Sequence, residues 1–440
     1  MAFYLFIFVG CMMPMKEISF TLPNPEKKEK LIRWALKYKY CLYLNPFDKK
    51  DYPYGSFPNK LVFSNQLALQ ETDQNFESLK KHFQLNEDAE LYGFLGYDLK
   101  EQTHAIKSEN KVSINWPPIG LFTADGIIEF KAQEATIKAV NADDVFKEIT
   151  RFLKNENIKA SANQVGVFKA NFNKDDYISS VKKLQNHIIE GDIYEINFCI
   201  NYEANALNFD PINAFFKLSE KSPTPFGCLL KWKKQYALCA SPERFIKLDE
   251  NKLISQPIKG TARRSVDAEA DQKIKEALRN SEKELAENMM IVDLVRNDLA
   301  QSAQAGSVKV EELFGVYSFS YLHQMISTVT GMKKPEVHPV EAIKYAFPMG
   351  SMTGAPKKSA ISLIEHYESA RRSIFSGAIG YINKDSFDFN VVIRSIYFDQ
   401  KTGVINYQVG SAITYDSYPE AEYQECQLKA EAIKKILLDD

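Results

Sequence analysis

Alternating apolar and polar residues, interleaved with capped amphipathic helices, constrain the fold of this 440-residue chain most strongly. The alternation over residues 387–398 and 404–413 predicts sheet strands. Shorter β-rich runs occupy residues 61–63, 120–122 and 126–130, among lysine-rich helical stretches. The chain is therefore expected to carry sheet strands in both its first and its last third.

Three helices are predicted from apolar periodicity and from their termini. The first covers residues 175–190 and stops at Gly191, and the second opens with a capping-box pattern at Ser281 and runs toward Leu299. The third covers residues 417–437 and begins with a second capping box that has proline in its first turn.

The sequence divides into an N-terminal region, residues 15–154, and a second region, residues 165–438. Residues 155–164 between them are polar and poor in apolar side chains, which is typical of a linker. The length allows two or three domains, but large single units of mixed helix and sheet are also common.

Composition excludes some partners. A formal net charge of -2 gives no overall attraction to nucleic acid or to anionic membranes, so neither is expected to bind. The six cysteines show no metal-ligand spacing and are interpreted as reduced thiols of a cytoplasmic protein. The apolar run at residues 2–13 is too short to span a bilayer. It lacks a preceding basic segment, so we interpret it as a mis-assigned start or an N-terminal strand rather than a signal peptide.

Lys259 lies in the segment Pro-Ile-Lys-Gly-Thr, on a short element flanked by proline and glycine. An amine that is partly desolvated and close to other cations can lose its proton near neutral pH and become a nucleophile. The alternative is an ordinary solvated surface lysine.

Two helices each present a pair of carboxylates on one face: Glu284 with Glu287, and Glu422 with Glu425. Such pairs suit a hard divalent cation such as Mg²⁺. The alternative is that these glutamates are exposed and unliganded, and a helix cap already explains Glu284.

Residues 350–357 form a glycine-containing loop that leads into a helix, where free N–H groups can bind an anion. Ala355 and Pro356 precede Lys357, which excludes a Walker phosphate loop and makes a carboxylate the better candidate ligand. The alternative is a tight turn with a helix cap.

Three further side chains are candidates for a site. Glu243 stands beside a base after an apolar run, and Arg394 lies in a run that is predicted to be a buried strand, where arginine usually pairs with a carboxylate. His323 is either a catalytic group or, more commonly, a satisfied core histidine.

Together these motifs resemble the chorismate-binding enzymes. The resemblance covers residues 165 to the C-terminus, with looser similarity at residues 93–99. The motifs that carry it are listed here in chain order: 241–245, 257–264, 283–287, 291–299, 350–357 and 422–425. It implies an α+β fold, an α/β sandwich of two large, mainly antiparallel sheets with helices outside.

The resemblance also implies an activity. Members that aminate chorismate at C4 carry lysine between Ile258 and Gly260, whereas members that form anthranilate carry alanine. The chain is thus expected to make 4-amino-4-deoxychorismate, the precursor of 4-aminobenzoate and folate. An anthranilate-forming enzyme and a non-catalytic member that only binds chorismate or a partner are the alternatives.

Roles for individual residues follow from the same resemblance. Lys259 would attack ring C2, Glu243 would donate a proton, and the four glutamates would hold Mg²⁺. The residues expected to contact the substrate are Thr261, His323, Thr353, Tyr381, Arg394, Gly410, Ser411 and Lys429.

Two positions depart from the family pattern. Asn288 replaces a histidine of structural role, and Glu195 stands where aminating members have glutamine and water-adding members have a lysine base. The tryptophan-sensing segment of the anthranilate-forming members is not evident. No cysteine lies in the setting typical of a class I glutaminase, so the resemblance implies a separate glutaminase subunit that supplies ammonia.

Overall fold

The computed structural model describes residues 15–22, 24–46, 52–155 and 164–438. The apolar start, Cys11 and residues 156–163 of the predicted linker lie outside the described residues.

Strands and helices alternate along the described residues. The strands are β1 Lys16–Thr21, β2 Tyr40–Asn45, β3 Lys60–Ser64, β4 Leu91–Leu95, β5 Ile119–Thr123, β6 Gly126–Lys131, β7 Glu134–Ala139, β8 Gln164–Val165, β9 Lys169–Ala170, β10 Glu195–Leu207, β11 Phe226–Trp232, β12 Gln235–Ser241, β13 Arg244–Asp249, β14 Lys252–Gln256, β15 Ile258–Arg263, β16 Lys309–Ser318, β17 Leu322–Met332, β18 Gly354–Ala355, β19 Ala378–Ile382, β20 Phe387–Asn390, β21 Ser395–Asp399 and β22 Val404–Ile413. The helices are α1 Pro25–Ala35, α2 Phe76–Leu85, α3 Lys100–His104, α4 Ala142–Asn155, α5 Lys174–Ile189, α6 Pro211–Lys221, α7 Ala268–Arg279, α8 Glu282–Ser302, α9 Pro339–Ala346, α10 Lys357–Tyr367 and α11 Pro419–Leu438, with 3₁₀ turns at Tyr97–Leu99 and Gly350–Met352.

The strands form two large sheets. The 13-stranded sheet has the order β1-β7-β6-β3-β2-β11-β12-β21-β22-β10-β18, with β8 and β9 also pairing with β10. The nine-stranded sheet has the order β15-β17-β14-β13-β20-β19-β4-β5, with β16 pairing with β17. The pairings described between named strands are antiparallel, which confirms the predicted fold class. The regions predicted from the sequence contribute strands to both sheets, so neither sheet belongs to one region.

The alternating side chains of β2 show which structural layer packs on each face of the larger sheet. Tyr40, Leu42 and Leu44 belong to the core that contains residues of both sheets, together with side chains of α2, α8 and α9. Cys41 and Tyr43 point to the opposite face and belong to a second core beneath α1, α4, α5, α6, α10 and α11. At β2 the larger sheet is therefore buried on both faces, because the smaller sheet covers one face and helices cover the other.

The three predicted helices are confirmed as α5, α8 and α11. Ser281 caps α8 as expected, because its hydroxyl accepts a hydrogen bond from the backbone N–H of Glu284. None of the described helices combines the length and the apolar character that crossing a bilayer requires.

The prediction that Arg394 lies within a buried strand is wrong. Residues 391–394 connect β20 in the smaller sheet to β21 in the larger one, so the chain leaves one sheet and enters the other at this point. Arg394 takes a left-handed backbone conformation, with φ 50°, at the end of that crossing.

Candidate active site

A local irregularity of β15 orients Lys259. The ladder between β15 and β17 shifts register between Ile258 and Thr261, and Gly260 has φ 93°. A bulge of this kind redirects a side chain out of the regular strand alternation. The Asn288 side chain donates a hydrogen bond to the Lys259 carbonyl (3.4 Å) and accepts one from the Ser327 hydroxyl (2.6 Å), which ties α8 to both strands.

Carboxylates, not cations, surround the amine of Lys259. Its side chain is only 12% exposed, and its Nζ lies 3.9 Å from Oε1 of Glu195. Burial alone lowers the pKa of Lys259, but the charges of Glu195, Glu287 and Glu243 outweigh burial, and the pKa is raised. Carboxylates, rather than the neighbouring cations supposed from the sequence, therefore have the largest electrostatic effect on Lys259, and they favour its protonated form.

Glu243 is a buried carboxyl group between β12 and β13. The Ser351 hydroxyl donates a hydrogen bond to its Oε1 (2.6 Å). Burial raises the pKa of Glu243 to about 7, against smaller lowering effects of Ser351, Lys259 and Arg394. Such a group can donate a proton at neutral pH.

Arg394 presents an unpaired guanidinium beside Glu243. Within the described part of the chain it makes no side-chain hydrogen bond or ion pair, and its charge acts on Glu243. Burial lowers the pKa of Arg394 to about 10, so it stays charged at neutral pH. A partly buried guanidinium without a protein partner is suited to bind an anionic ligand.

The glycine-containing loop at 350–357 is built into the sheet. Gly354 and Ala355 pair with the start of β10, and the Thr353 hydroxyl donates to the carbonyls of Met349 and Gly350 (3.1 and 3.2 Å). Pro356 occupies the N-cap position of α10. The loop supplies a hydroxyl to Glu243 through Ser351, whereas anion binding at the α10 N-terminus stays a prediction.

The four glutamates of α8 and α11 approach one another around a lysine. Nζ of Lys283 lies 3.8 Å from Glu287 and 3.9 Å from Glu422, so one cation already bridges the two helices. Burial and the charge of Glu287 raise the pKa of Glu284, and burial and the charge of Glu425 raise that of Glu422.

This donor set fits Mg²⁺ by its chemistry, since it offers hard oxygen ligands whose mutual repulsion a divalent cation would relieve. Oxygens of these four residues are not drawn together into one coordination sphere. In the described residues, three acidic or histidine ligand atoms lie within 4.8 Å of one another only at His187, Glu190 and Asp192 on the surface.

Four other predicted substrate contacts lie near the α11 glutamates or Lys259. Nζ of Lys429 donates to the Gly410 carbonyl (2.8 Å) and pairs with Glu425 (2.7 Å). The hydroxyl groups of Ser411 and Tyr177 are hydrogen-bonded to each other (3.0 Å). Thr261 is exposed on β15, two residues beyond Lys259.

Two predicted contacts are placed differently. The ring nitrogens of His323 interact with Ser318 (2.9 Å) and Asp271 (3.0 Å), which is the arrangement of a satisfied core histidine. Tyr381 lies beside Lys60 and Tyr92, with its ring centroid 5.8 Å from Nζ of Lys60 and 6.3 Å from the Tyr92 ring centroid. Substrate contacts for these two residues stay predictions.

Sequence reasoning missed an ion pair that supports the site. Arg372 pairs with Glu368 (2.6 Å) and donates to the carbonyls of Met352 (2.5 Å) and Asn197 (2.8 Å). It thereby joins the 350–357 loop to β10, which carries Glu195. No local pattern marks this arginine as part of the site, because the Met352 and Asn197 carbonyls that it binds lie 20 and 175 positions away in sequence.

The chain belongs to the chorismate binding enzyme family, whose match covers residues 44–435. It is 33% identical to aminodeoxychorismate synthase component 1 of Escherichia coli over 351 residues, which is 78% of this chain and 76% of that protein. It is 34% identical to the chloroplastic aminodeoxychorismate synthase of Arabidopsis thaliana over 79% of this chain but only 40% of that protein. The chain thus spans less than half the length of the plant relative.

The names of other similar proteins describe different activities. Anthranilate synthase component 1 of Saccharolobus solfataricus is 31% identical over 79% of this chain and 80% of that protein. The fold also matches the menaquinone-specific isochorismate synthase of Escherichia coli, with a TM-score of 0.75 and 15% identity over 97% of this chain and 95% of that one. At that identity the match shows the fold alone.

Proposed function

We propose that the chain aminates chorismate at C4 and releases 4-amino-4-deoxychorismate. One observation carries the proposal: a buried lysine amine and a buried carboxyl group with a pKa of about 7 act on each other in one site. A nucleophile and a proton donor are the two groups that displacement of a hydroxyl group requires.

The bonds can be followed through two displacements. Nζ of Lys259 forms a bond to C2, the ring π electrons shift toward C4, and the C4–O bond breaks as Glu243 gives its proton to the leaving hydroxyl. Ammonia then bonds to C4, the π electrons shift back, and the C2–N bond to Lys259 breaks. The new C4 ammonium returns one proton to Glu243, and the leaving hydroxyl departs as water. The net change replaces hydroxyl by amino at C4.

Charged side chains would hold the two carboxylates of chorismate. Glu284, Glu287, Glu422 and Glu425 would hold Mg²⁺, which would supply positive charge for the ring carboxylate. Arg394 would bind the other carboxylate, because its guanidinium is unpaired among the described residues. Thr353, Gly410, Ser411 and Lys429 would line the pocket.

Ammonia would come from a separate glutaminase. The five described cysteines are all buried, so none is presented as an accessible nucleophile for glutamine hydrolysis. We propose that this glutaminase is a separate subunit, as the family resemblance implies.

The test incubates the purified chain with chorismate, Mg²⁺ and ammonium, adds an aminodeoxychorismate lyase, and separates the products by chromatography. We expect 4-aminobenzoate, its loss without Mg²⁺, and a fall of ~100-fold or more in Lys259→Ala, equivalent to about 3 kcal/mol in activation free energy. Lys252→Ala is the control, since Lys252 on β14 already pairs with Glu311 on β16.

The product that forms distinguishes C4 amination from anthranilate synthesis and from binding without catalysis. Anthranilate would contradict C4 amination, and full activity in Lys259→Ala would contradict the role of the lysine. If a glutaminase partner is also supplied and no product forms, the chain is a non-catalytic member that binds chorismate or the partner.

A further inference from the structure

Glu195 is a buried carboxylate that the proposed displacements do not use. It is 2% exposed, at the start of β10, and its Oε2 makes no hydrogen bond with any described group. A buried carboxylate oxygen without a partner is costly, so one is expected only where a ligand or a reaction uses it.

Its other oxygen faces the reactive amine. Oε1 of Glu195 lies 3.9 Å from Nζ of Lys259, one small side-chain movement from hydrogen-bond distance. Catalytic hydrogen bonds are often long before substrate binds and shorten in the complex. The backbone on both sides is fixed: β10 pairs with β18 at Glu195, and Asn288 holds the Lys259 carbonyl.

The proposed displacement leaves one proton unassigned. The surrounding carboxylates keep Lys259 as an ammonium group, which has no lone pair for attack. Glu243 cannot accept the proton of Lys259, because Glu243 must itself donate a proton to the leaving hydroxyl. The other carboxylates whose charges interact with Lys259 are Glu284 and Glu287 on α8 and Glu425 on α11, which the proposed function assigns to Mg²⁺. Glu195 is the carboxylate near the amine that has no other task.

We infer that Glu195 is the base for Lys259: its carboxylate takes one proton from the ammonium group, and the freed lone pair forms the bond to C2. When ammonia displaces the lysine, the proton returns from Glu195 to Nζ. The proton moves only between Lys259 and Glu195, and the total charge of the two residues with the bound ligand is conserved, so no external base is needed. This inference rests on the proposed function.

The first test is the pH dependence of turnover in wild type and Glu195→Gln, between about pH 5.5 and 6.5, where Glu243 is protonated. Free ammonia is held constant by adjusting total ammonium. With the base inside the pair, the wild-type rate is expected to rise only as far as Glu195 itself titrates, because burial raises the pKa of Glu195. Glu195→Gln is expected to rise more steeply, about tenfold per pH unit, because its lysine must lose a proton to water. A tenfold slope in both proteins overturns the inference.

Two variants complete the set. Glu203→Gln makes the same change on the same strand, where Glu203 pairs with the exposed Lys111 (3.7 Å), and should behave as wild type. Glu195→Asp keeps the carboxylate and should keep a profile shallower than that of Glu195→Gln, at a lower rate. A raised KM for ammonium in Glu195→Gln without a change in slope would assign Glu195 to ammonia binding and overturn the base role.

A second readout does not need turnover. An amine-reactive acylating reagent is applied near neutral pH and Lys259 labelling is followed by peptide mass spectrometry. Removing the charge of Glu195 is expected to lower the pKa of Lys259 and to increase labelling severalfold, with no change in Glu203→Gln. If wild type makes no product but labelling responds, the proposed function fails and the pairing stands. Unchanged labelling in Glu195→Gln overturns the pairing itself.

Discussion

At the residue scale, burial sets the chemistry of Glu243. An exposed glutamate is ionised at neutral pH and cannot donate a proton, whereas burial raises the pKa of Glu243 to about 7. Ser351, Lys259 and Arg394 each favour the ionised form, so the final value is a balance between burial and these three partners. The balance can be shifted by changing one partner.

Substitutions at Glu243 and Ser351 test this balance. Glu243→Gln cannot donate a proton and should lower kcat by ~10²- to 10⁴-fold. Wild-type activity should fall as pH rises through about 7, because Glu243 then loses its proton. Ser351→Ala removes a hydrogen bond that lowers the pKa of Glu243, so this alkaline decline should move to higher pH in kcat profiles. Ser180→Ala, on the exposed face of α5, is the control, and an unmoved decline in Ser351→Ala would contradict the contribution of this hydrogen bond.

At the element scale, local patterns predicted the elements better than their connections. The bounds of α5, α8 and β22 follow from capping residues and periodicity, which depend on neighbours within a few positions. Arg394 was misplaced because its crossing between sheets depends on partners distant in sequence. The same limit hid the Ser351–Glu243 hydrogen bond, which joins residues 108 positions apart.

Arg372 provides the clearest long-range support, because its guanidinium binds the distant carbonyls of Met352 and Asn197 while it pairs with the nearby Glu368. Arg372→Met would leave Glu368 buried at 3% exposure without its partner, which costs about 3–5 kcal/mol in the free energy of unfolding. It should also lower activity, because the 350–357 loop loses its tie to β10. Urea denaturation measures the first effect, with Arg296→Met as the control.

Arg296 pairs with Asp293 on the surface, so its removal should change the unfolding free energy by about 0–1 kcal/mol. Equal losses in both variants would show that the buried pair has no special contribution.

At the scale of the whole molecule, the two sequence regions share both sheets. Strand β2 from the first region pairs with β11 from the second, with Leu42 opposite Leu230 in the core between the sheets. The resemblance predicted the sandwich of antiparallel sheets. The periodicity of short runs could not predict which strands would be neighbours, because pairing across such distances leaves no local signal.

Shared sheets predict cooperative unfolding. Leu42→Ala should lower the unfolding free energy by about 2–5 kcal/mol and shift circular dichroism and tryptophan fluorescence transitions together. Leu428→Ala is the control, because Leu428 is 74% exposed on α11. Separation of the two probes into distinct transitions in Leu42→Ala would indicate that the regions unfold independently.

The pairing of β2 with β11 also has a consequence for synthesis on the ribosome. The β11 strand follows β2 by about 180 residues, and at ~5–20 residues per second the wait lasts roughly 10 to 40 s. During that time one edge of β2 has no partner, and the apolar side chains of Leu42 and Leu44 lack the layer that covers them. The nascent chain is therefore most exposed to aggregation, and to capture by chaperones, in the interval before Phe226–Trp232 leaves the exit tunnel.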